Sequence, residues 1–369
     1  MRIQKLDIDN LNELTIIITT YNRHKYLLRS IDYWKNKKVK VIYLDGSKKK
    51  LDLNQINDLK FNIKYIHNPV SQYERILNVI NTIDTKYVMF GCDDEFYIVS
   101  ALKSCLKELN NNLELVSCGG MCHGFNFENR KITGHLKDSN LKNINLSQDN
   151  YADRIKSHFN NYAPAHIYSI CRTEIWKIIS EGIFSKEYNF YSAFEFQIEF
   201  LICYSGKTKI ISELMWLRSS ENDPIRDLSP QLMRNNLIER WWYGKKNVFQ
   251  VEYNDFVSRM TNICMKLNKS KKFESQNVEK NIEIAFISLM NFKKKINYFI
   301  YKNHFLQIIS NLLKLFLGKQ KKFFHFFLDL FFKKEKLLSD QIIDLANKNI
   351  IVDFNEVKRI EKIIINFHK

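Results

Sequence analysis

Two kinds of apolar run alternate along the first third of the chain. Residues 14–20 (LTIIITT) form a β-branched stretch too short for a helix and closed by polar Tyr21-Asn22-Arg23, which predicts a buried strand. Residues 24–36 then carry Tyr26, Leu27, Ser30, Ile31 and Trp34 at helical spacing. A second strand is predicted over 39–45 (VKVIYLD), ended by Gly46-Ser47 and a lysine run, and a third over 62–67 (NIKYIH), stopped by Asn68-Pro69. Residues 71–83 read as a helix with Tyr73, Ile76, Leu77, Ile80 and Ile83 inward. A fourth strand, 86–91 (KYVMFG), runs straight into Cys92-Asp93-Asp94-Glu95, and 98–109 are helical again. Alternation of this kind builds an α/β fold with a mostly parallel, Rossmann-like sheet, and ligands gather at the carboxyl ends of its strands.

Beyond residue 110 the pattern loosens. Residues 114–136 read as strands with turns, 137–150 as a polar loop and 151–159 (YADRIKSHF) as a helix. A strand over 166–171 follows, then helices from Thr173 and over 189–205, and a strand over 207–218. SSENDPIRDLSP (219–230) is the clearest breaker cluster, so the expected division is a 1–225 α/β domain and a 226–369 basic, mainly helical domain. No internal repeat is present.

Composition excludes several classes. Over 369 residues, 45% hydrophobic and 14% aromatic content is too apolar for a disordered chain. Ten glycines and four prolines exclude collagen-like and linker-rich chains. Seven scattered cysteines, an odd number, point to a reducing compartment rather than a disulfide framework. MRIQKLDIDNLNEL lacks the apolar core of a signal peptide, and no run approaches the roughly 18 apolar residues of a spanning helix. The expectation is a cytoplasmic protein, soluble or peripheral at the inner face of the membrane.

Charge is uneven. Against a net +17, residues 266–336 hold 16 lysines and 5 acids, leaving little excess elsewhere. Apolar residues in this segment, such as Ile308, Leu312, Leu315 and Phe316, recur at helical steps. One account is an ordinary bundle with solvated lysines. The sharper one is a surface that sits on anionic lipid. Nucleic acid ranks third and is not expected, because lysine dominates and no nucleic-acid module signature appears.

Acids gather at strand ends: Asp45 after the second strand, and Asp93, Asp94 and Glu95 after the fourth. Adjacent carboxylates repel unless a cation or solvent compensates, and hard divalent ions take oxygen ligands. Capping of the following helix is the simpler account for such a triplet alone. Weaker signals are Cys118-x3-Cys122-His123, which lacks the four ligands of a zinc site; His166, a core histidine or an acceptor contact; and Trp241-Trp242-Tyr243, core or a sugar-stacking platform.

TIIITTYNRHKYLLRSIDYW, VKVIYLDGS and TKYVMFGCDDEF resemble, in order and spacing, the nucleotide-diphosphosugar domain of family 2-type glycosyltransferases of the GT-A fold. The likeness is specific over about 14–105 and looser to Arg218, where YADRI, YSICRTE, FEFQIEF and GKTKIISELMWLR are similar to a bacterial surface-polysaccharide subgroup. The resemblance implies that Thr20, Tyr21, Arg23 and Asp45 line the nucleotide, with Ser71 and Arg75 as weaker matches. Asp93 and Asp94 would face the nucleotide sugar, and Asp94 and Glu95 would hold Mn²⁺ or Mg²⁺, with Glu standing where the family has Asp. The family's base matches Glu195, with Glu199 one turn on as runner-up, and Arg218 is suited to the diphosphate.

The function implied is inverting, metal-assisted transfer of a sugar from a nucleotide-diphosphate sugar to a hydroxyl of a growing capsule or lipopolysaccharide. The acceptor would be a glycan carried on lipid at an anionic membrane surface. Rival readings are a sugar-nucleotide nucleotidyltransferase, which would need a glycine-rich loop after the first strand, and a non-catalytic basic module for membrane or nucleic acid.

Overall fold

The β-branched run at Leu14–Thr20 forms β1, with every position buried except the half-buried Thr19. A computed structural model describes it together with the rest of residues 11–52, 54, 62–188, 193–222, 248–268, 275–302 and 336–369. Helix α1 (His24–Trp34) follows, then β2 (Lys40–Asp45), β3 (Ile63–His67), α2 (Gln72–Ile80), β4 (Tyr87–Cys92), β5 (Phe96–Tyr97) and α3 (Val99–Asn111). The strands β3, β2, β1 and β4 are neighbours in that order and all parallel. The chain therefore builds outward from β1 through β2 to β3, then returns to the other side of β1 with β4. Strand order reverses between β1 and β4, and a crevice opens there at the carboxyl ends.

The second half of the sheet is built differently. Long β6 (Leu115–Glu128) pairs in parallel with β10 (Lys207–Ser219), and β7 (Lys131–His135) folds back on β6. Short β9 (Ile170–Arg172) joins the halves, antiparallel to both β4 and β6. Two-residue β8 (Asn145–Leu146) and β5 pair antiparallel with β10. The result is the mixed, mostly parallel sheet of a GT-A fold.

The strand expected over 166–171 is reduced to residues 170–172, for a definite reason. The N–H groups of His166 and Ile167 donate to the Glu199 carboxylate, at 2.9 and 3.0 Å, instead of to a neighbouring strand. The polar stretch 137–150 is mostly loop, as its composition predicts, apart from a short 3-10 turn and β8.

Helices α4 (Tyr151–Asn160), α5 (Thr173–Phe184) and α6 (Ala193–Ser205) cover one side. Against them lie α7 (Val248–Leu267) and α8 (Ser275–Lys302), with Phe286 stacked on Phe196 at 4.3 Å between centroids. The chain then returns to the sheet. Gly134 N–H donates to Lys336 O, and Ile351 exchanges backbone hydrogen bonds with Ser212 and Leu214. Helix α9 (Leu338–Ala346) lies on β7 and α10 (Phe354–Phe367) reaches α1. The expected boundary at 225/226, Trp241-Trp242-Tyr243 and residues 303–335 of the basic segment lie outside the described residues. Among the described residues, no helix is long and apolar enough to cross a membrane.

Glu356 shows how firmly α10 is tied in. Its carboxylate accepts from Val99 N–H at 2.8 Å, capping α3, whose own N-cap Ile98 supplies no side-chain acceptor. Its other oxygen lies 2.9 Å from the Tyr33 hydroxyl. Glu356→Ala strips both, and a buried donor left unsatisfied costs about 1–3 kcal/mol. The urea midpoint should fall accordingly; an unchanged midpoint would show that α10 does not support the sheet domain.

Candidate active site

The crevice is furnished from the strand ends. Parallel register sets Thr20 beside Asp45 and Asp45 beside His67, while Thr19 pairs with Cys92, so three chain turns converge. The turn after β1 carries Asn22 in the left-handed region (φ 53°), which Asn tolerates better than most residues. Asn22 N–H donates to Ser47 Oγ at 2.7 Å, tying the TYNR turn to the DGS turn.

Asp45 is fully buried and heavily hydrogen-bonded. Ser47 N–H donates at 2.8 Å, the Ser47 hydroxyl donates to the same oxygen, and Tyr65 OH donates to the other at 2.7 Å. Burial opposes its charge, yet these donors and nearby His24 hold it below the usual carboxylate range. The Arg75 guanidinium lies directly over Gly46, where a Cβ would sit 1.5 Å from its Nη1. Any side chain at 46 would expel the cation, so the glycine is what lets Arg75 approach Asp45 and Tyr21. Ser71 is exposed and caps α2 by accepting from Glu74 N–H at 3.2 Å. The neighbouring Gln72, not Ser71, reaches the end of β1, donating to Thr19 Oγ1 at 3.1 Å.

The acids after β4 are nearly closed off from water: Asp93 is 1% exposed, Asp94 8% and Glu95 7%. Arg23 bridges the first two, donating to Asp93 Oδ1 and, at 3.0 Å, to Asp94 Oδ2. Thr20 donates to Asp93 Oδ2. Asn222 donates to Asp94 Oδ2 at 2.9 Å. Trp216 Nε1–H and Tyr97 OH both address Glu95 Oε2. Burial, reinforced by the Asp94 charge, raises Asp93 despite Arg23 and Thr20. The same two causes push Glu95 up to about 8. These acids are short of positive charge.

Arg218 lies across from them. Its Nη1 donates to Asp138 Oδ2 at 3.1 Å, its Nε stays 3.9 Å from Glu95 Oε1, and its guanidinium stacks over Trp216 at 5.1 Å. Burial works against the cation, but Tyr168, Glu95 and Asp138 hold it firmly protonated. On the facing wall, Tyr162 OH donates to Glu195 Oε1 at the start of α6. Burial raises Glu195; Tyr162 and Arg218 pull it back, while Glu199 and Asp138 add to the rise.

Glu199, one turn along α6, has a different place. It is 0% exposed, with one oxygen taken by two backbone N–H groups and the other 2.9 Å from His158 Nε2. It is walled off from any acceptor hydroxyl. His166 lies in the loop beside it, fully enclosed. Cys118, Cys122 and His123 lie along β6, and strand alternation turns His123 to the face opposite Cys122, so the three share no metal position.

Several site residues escape sequence reasoning. Tyr65 and His67 come into the crevice because β3 pairs in register with β2, a long-range pairing. Asp138 sits in a polar loop with left-handed backbone (φ 48°), the single local sign being an Asp where that conformation is tolerated. Trp216 and Asn222 flank Arg218 in sequence, so the strand end after 215 was a legible signal.

Residues 15–167, fewer than half of the chain, match the family described as Glycosyl transferase family 2. The chain carries a family 2 glycosyl transferase domain. The match includes β1 through the His166–Ile167 loop and stops before Glu195, Glu199 and Arg218. No curated protein matches the chain. Among solved structures, S. aureus TarS 1-349 is similar at 14% identity over 77% of this chain and 91% of that one, with a TM-score of 0.41. The same protein in complex with UDP-GlcNAc aligns over the same shares at 13% identity and 0.41. A further TarS crystal structure aligns over 75% of this chain and 55% of that one, at 14% identity and 0.39.

The glycosyl transferase domain should show its charge shortage in its stability. Glu95 folded titrates near 8 against about 4.3 unfolded, so the native state holds more protons between those values. Its contribution is full below the unfolded value and is lost as pH rises through 8. With chelator present, wild-type Tm should fall over that window relative to Glu95→Gln, which cannot titrate. Parallel Tm–pH curves for the two proteins would contradict the assignment.

Proposed function

We propose that the domain transfers a sugar, with inversion and metal assistance, from a nucleoside-diphosphate sugar to a hydroxyl of a growing surface polysaccharide such as capsule or lipopolysaccharide. The observation that carries this reading is a pair of acid groups on either side of Arg218: Asp94 and Glu95, short of positive charge, and Glu195, raised by burial and aligned by Tyr162.

Asp45, Ser47, Tyr65, Tyr21 and Arg75 form the pocket for base and ribose, with Thr20 and Arg23 at its inner edge. The donor set after β4 fits a hard divalent cation. Arg23 and Asn222 both address Oδ2 of Asp94, and Trp216 and Tyr97 both address Oε2 of Glu95, so one oxygen of each carboxylate points elsewhere. One carboxylate oxygen of each residue and Cys92 Sγ lie within 4.8 Å of one another. Mn²⁺ or Mg²⁺ held by Asp94 and Glu95 would supply neutralisation of charge on the leaving diphosphate.

Arg218, permanently charged and planar, is suited to bind a diphosphate oxygen when Asp138 yields it. Glu195 takes the proton from the acceptor hydroxyl. The hydroxyl oxygen forms a bond to the anomeric carbon from one face, while the bond to the diphosphate breaks on the other and its electron pair leaves with the diphosphate. Tyr162 holds the base in line and keeps it from swinging toward Arg218. A base with a raised pKa is better matched to neutral pH than an ordinary carboxylate.

The acceptor is proposed to be carried on lipid, with the basic 266–336 segment meeting anionic headgroups at the inner face of the membrane.

Glu195→Gln is the test. It keeps size and a hydrogen-bonding partner for Tyr162 but removes the proton acceptor. Transfer from nucleotide sugar should fall by about 10²–10⁴-fold with donor affinity retained. Near wild-type kcat would remove Glu195 from the role.

A further inference from the structure

Behind the crevice, about two turns along α6 from Glu195, lies a second cluster that the transfer chemistry does not use. Cys203, on the same helix, meets His158 of α4 and His166 of the loop that follows it. One ring nitrogen from each histidine and the Cys203 sulfur lie within 4.8 Å of one another. All three residues are nearly inaccessible: Cys203 is 0% exposed, His158 1% and His166 3%. The imidazole centroids are 4.9 Å apart.

Buried polar atoms almost always find partners. Here, among the described residues, neither ring nitrogen of either histidine has a hydrogen-bond partner, and neither does Glu199 Oε2. His158 Nε2 approaches that oxygen to 2.9 Å, yet no aligned hydrogen bond joins them. A buried carboxylate drawn this close to an imidazole, beside a second imidazole with no partner of its own, is placed as ligands of one cation are placed. The remaining oxygen of Glu199 is fixed by the His166 and Ile167 N–H groups, which is the outer support expected around a metal ligand.

We propose that His158, His166, Cys203 and Glu199 form a structural zinc site. Two imidazoles, a thiolate and a carboxylate are a four-ligand set suited to Zn²⁺, which binds nitrogen and sulfur tetrahedrally and needs no open position in a structural role. One thiolate and one carboxylate balance the dication, so the site is neutral inside a buried region. In a zinc tetrahedron the ligand atoms stand about 3.5 Å apart, so His158, His166 and Cys203 must draw in by about 1 Å and Glu199, which lies outside their 4.8 Å grouping, must turn in from beside His158 as the fourth ligand. Binding displaces the thiol proton of Cys203, which burial keeps on the sulfur in the metal-free state. The ion would pin α4, the 161–169 loop and α6 together, and so fix the Tyr162–Glu195 pair. The site stands on its own geometry and does not depend on the transferase reading.

The test is the metal content of the full chain, produced with zinc supplied and then passed through a chelator wash. About one zinc per chain is expected to remain. Asp94→Asn, in the crevice, and Cys264→Ser, at a buried cysteine elsewhere, should keep it; Cys203→Ser should lose it. Cobalt exchanged into wild type should give the visible bands of a tetrahedral ion and a near-ultraviolet thiolate-to-cobalt band, the latter absent in Cys203→Ser. Should Cys203→Ser not fold, the wild-type cobalt spectrum decides alone. Folded wild type that retains no zinc and shows no thiolate–cobalt band overturns the proposal, as does zinc retained undiminished in folded Cys203→Ser.

Discussion

Three consecutive acids enclosed at one strand end set the terms for the rest of this molecule. Left alone, Asp93, Asp94 and Glu95 would repel one another in a region where water screens little, and such charges are tolerated only when paired. The surrounding chain supplies the pairing from three separate places: Thr20 and Arg23 at the end of β1, Trp216 and Arg218 at the end of β10, and Asn222 just beyond. The compensation stays incomplete, as the raised Glu95 shows. This shortage of positive charge is what supports the proposed cation and the diphosphate that would come with it.

The same constraint explains why distant parts of the chain converge on this place. Arg29, on α1, donates both to the Asp94 carbonyl at 2.8 Å and to Glu221 at 2.9 Å, and its guanidinium is stacked between Tyr26 and Phe367. His368 reaches Glu221 at 2.6 Å from the end of α10. Segment 219–222, which carries Asn222 to Asp94, is thus held by residues from opposite ends of the sequence. Helix α10 is part of the support for the site and not an appendage to it.

Much of this was legible from the chain alone. Strands β1 to β4 and helices α1 to α3 follow local periodicity, because each is a short β-branched run or a one-sided apolar stripe whose burial needs no distant partner to be recognised. Asp45 and the acid triplet were legible as strand-end residues for the same reason, and Thr20 and Arg23 through the family resemblance of the TYNR turn. What escaped depends on pairing across the chain. The His166 region reads as a strand by composition, but Glu199, more than thirty residues away, takes the backbone N–H groups that a strand would share. Likewise Glu199 reads as a spare base by helical spacing, but it is fully buried, with its oxygens turned to His158 and to the His166 and Ile167 N–H groups. Tyr65, Asp138 and Tyr162 carry no sequence mark of their own. They become site residues through sheet register, a left-handed loop residue and helix packing.

The central claim is that the acids after β4 bind a diphosphate through a divalent cation. Calorimetric titration of uridine and guanosine diphosphates into the full chain, with Mn²⁺ and then with chelator, addresses it most directly. Binding of at least one diphosphate is predicted with Mn²⁺, weakened about tenfold or more by chelator and equally by Asp94→Ala, a loss of about 1.4 kcal/mol or more. Binding that is indifferent to both, or no binding of either nucleotide with Mn²⁺ present, would contradict it.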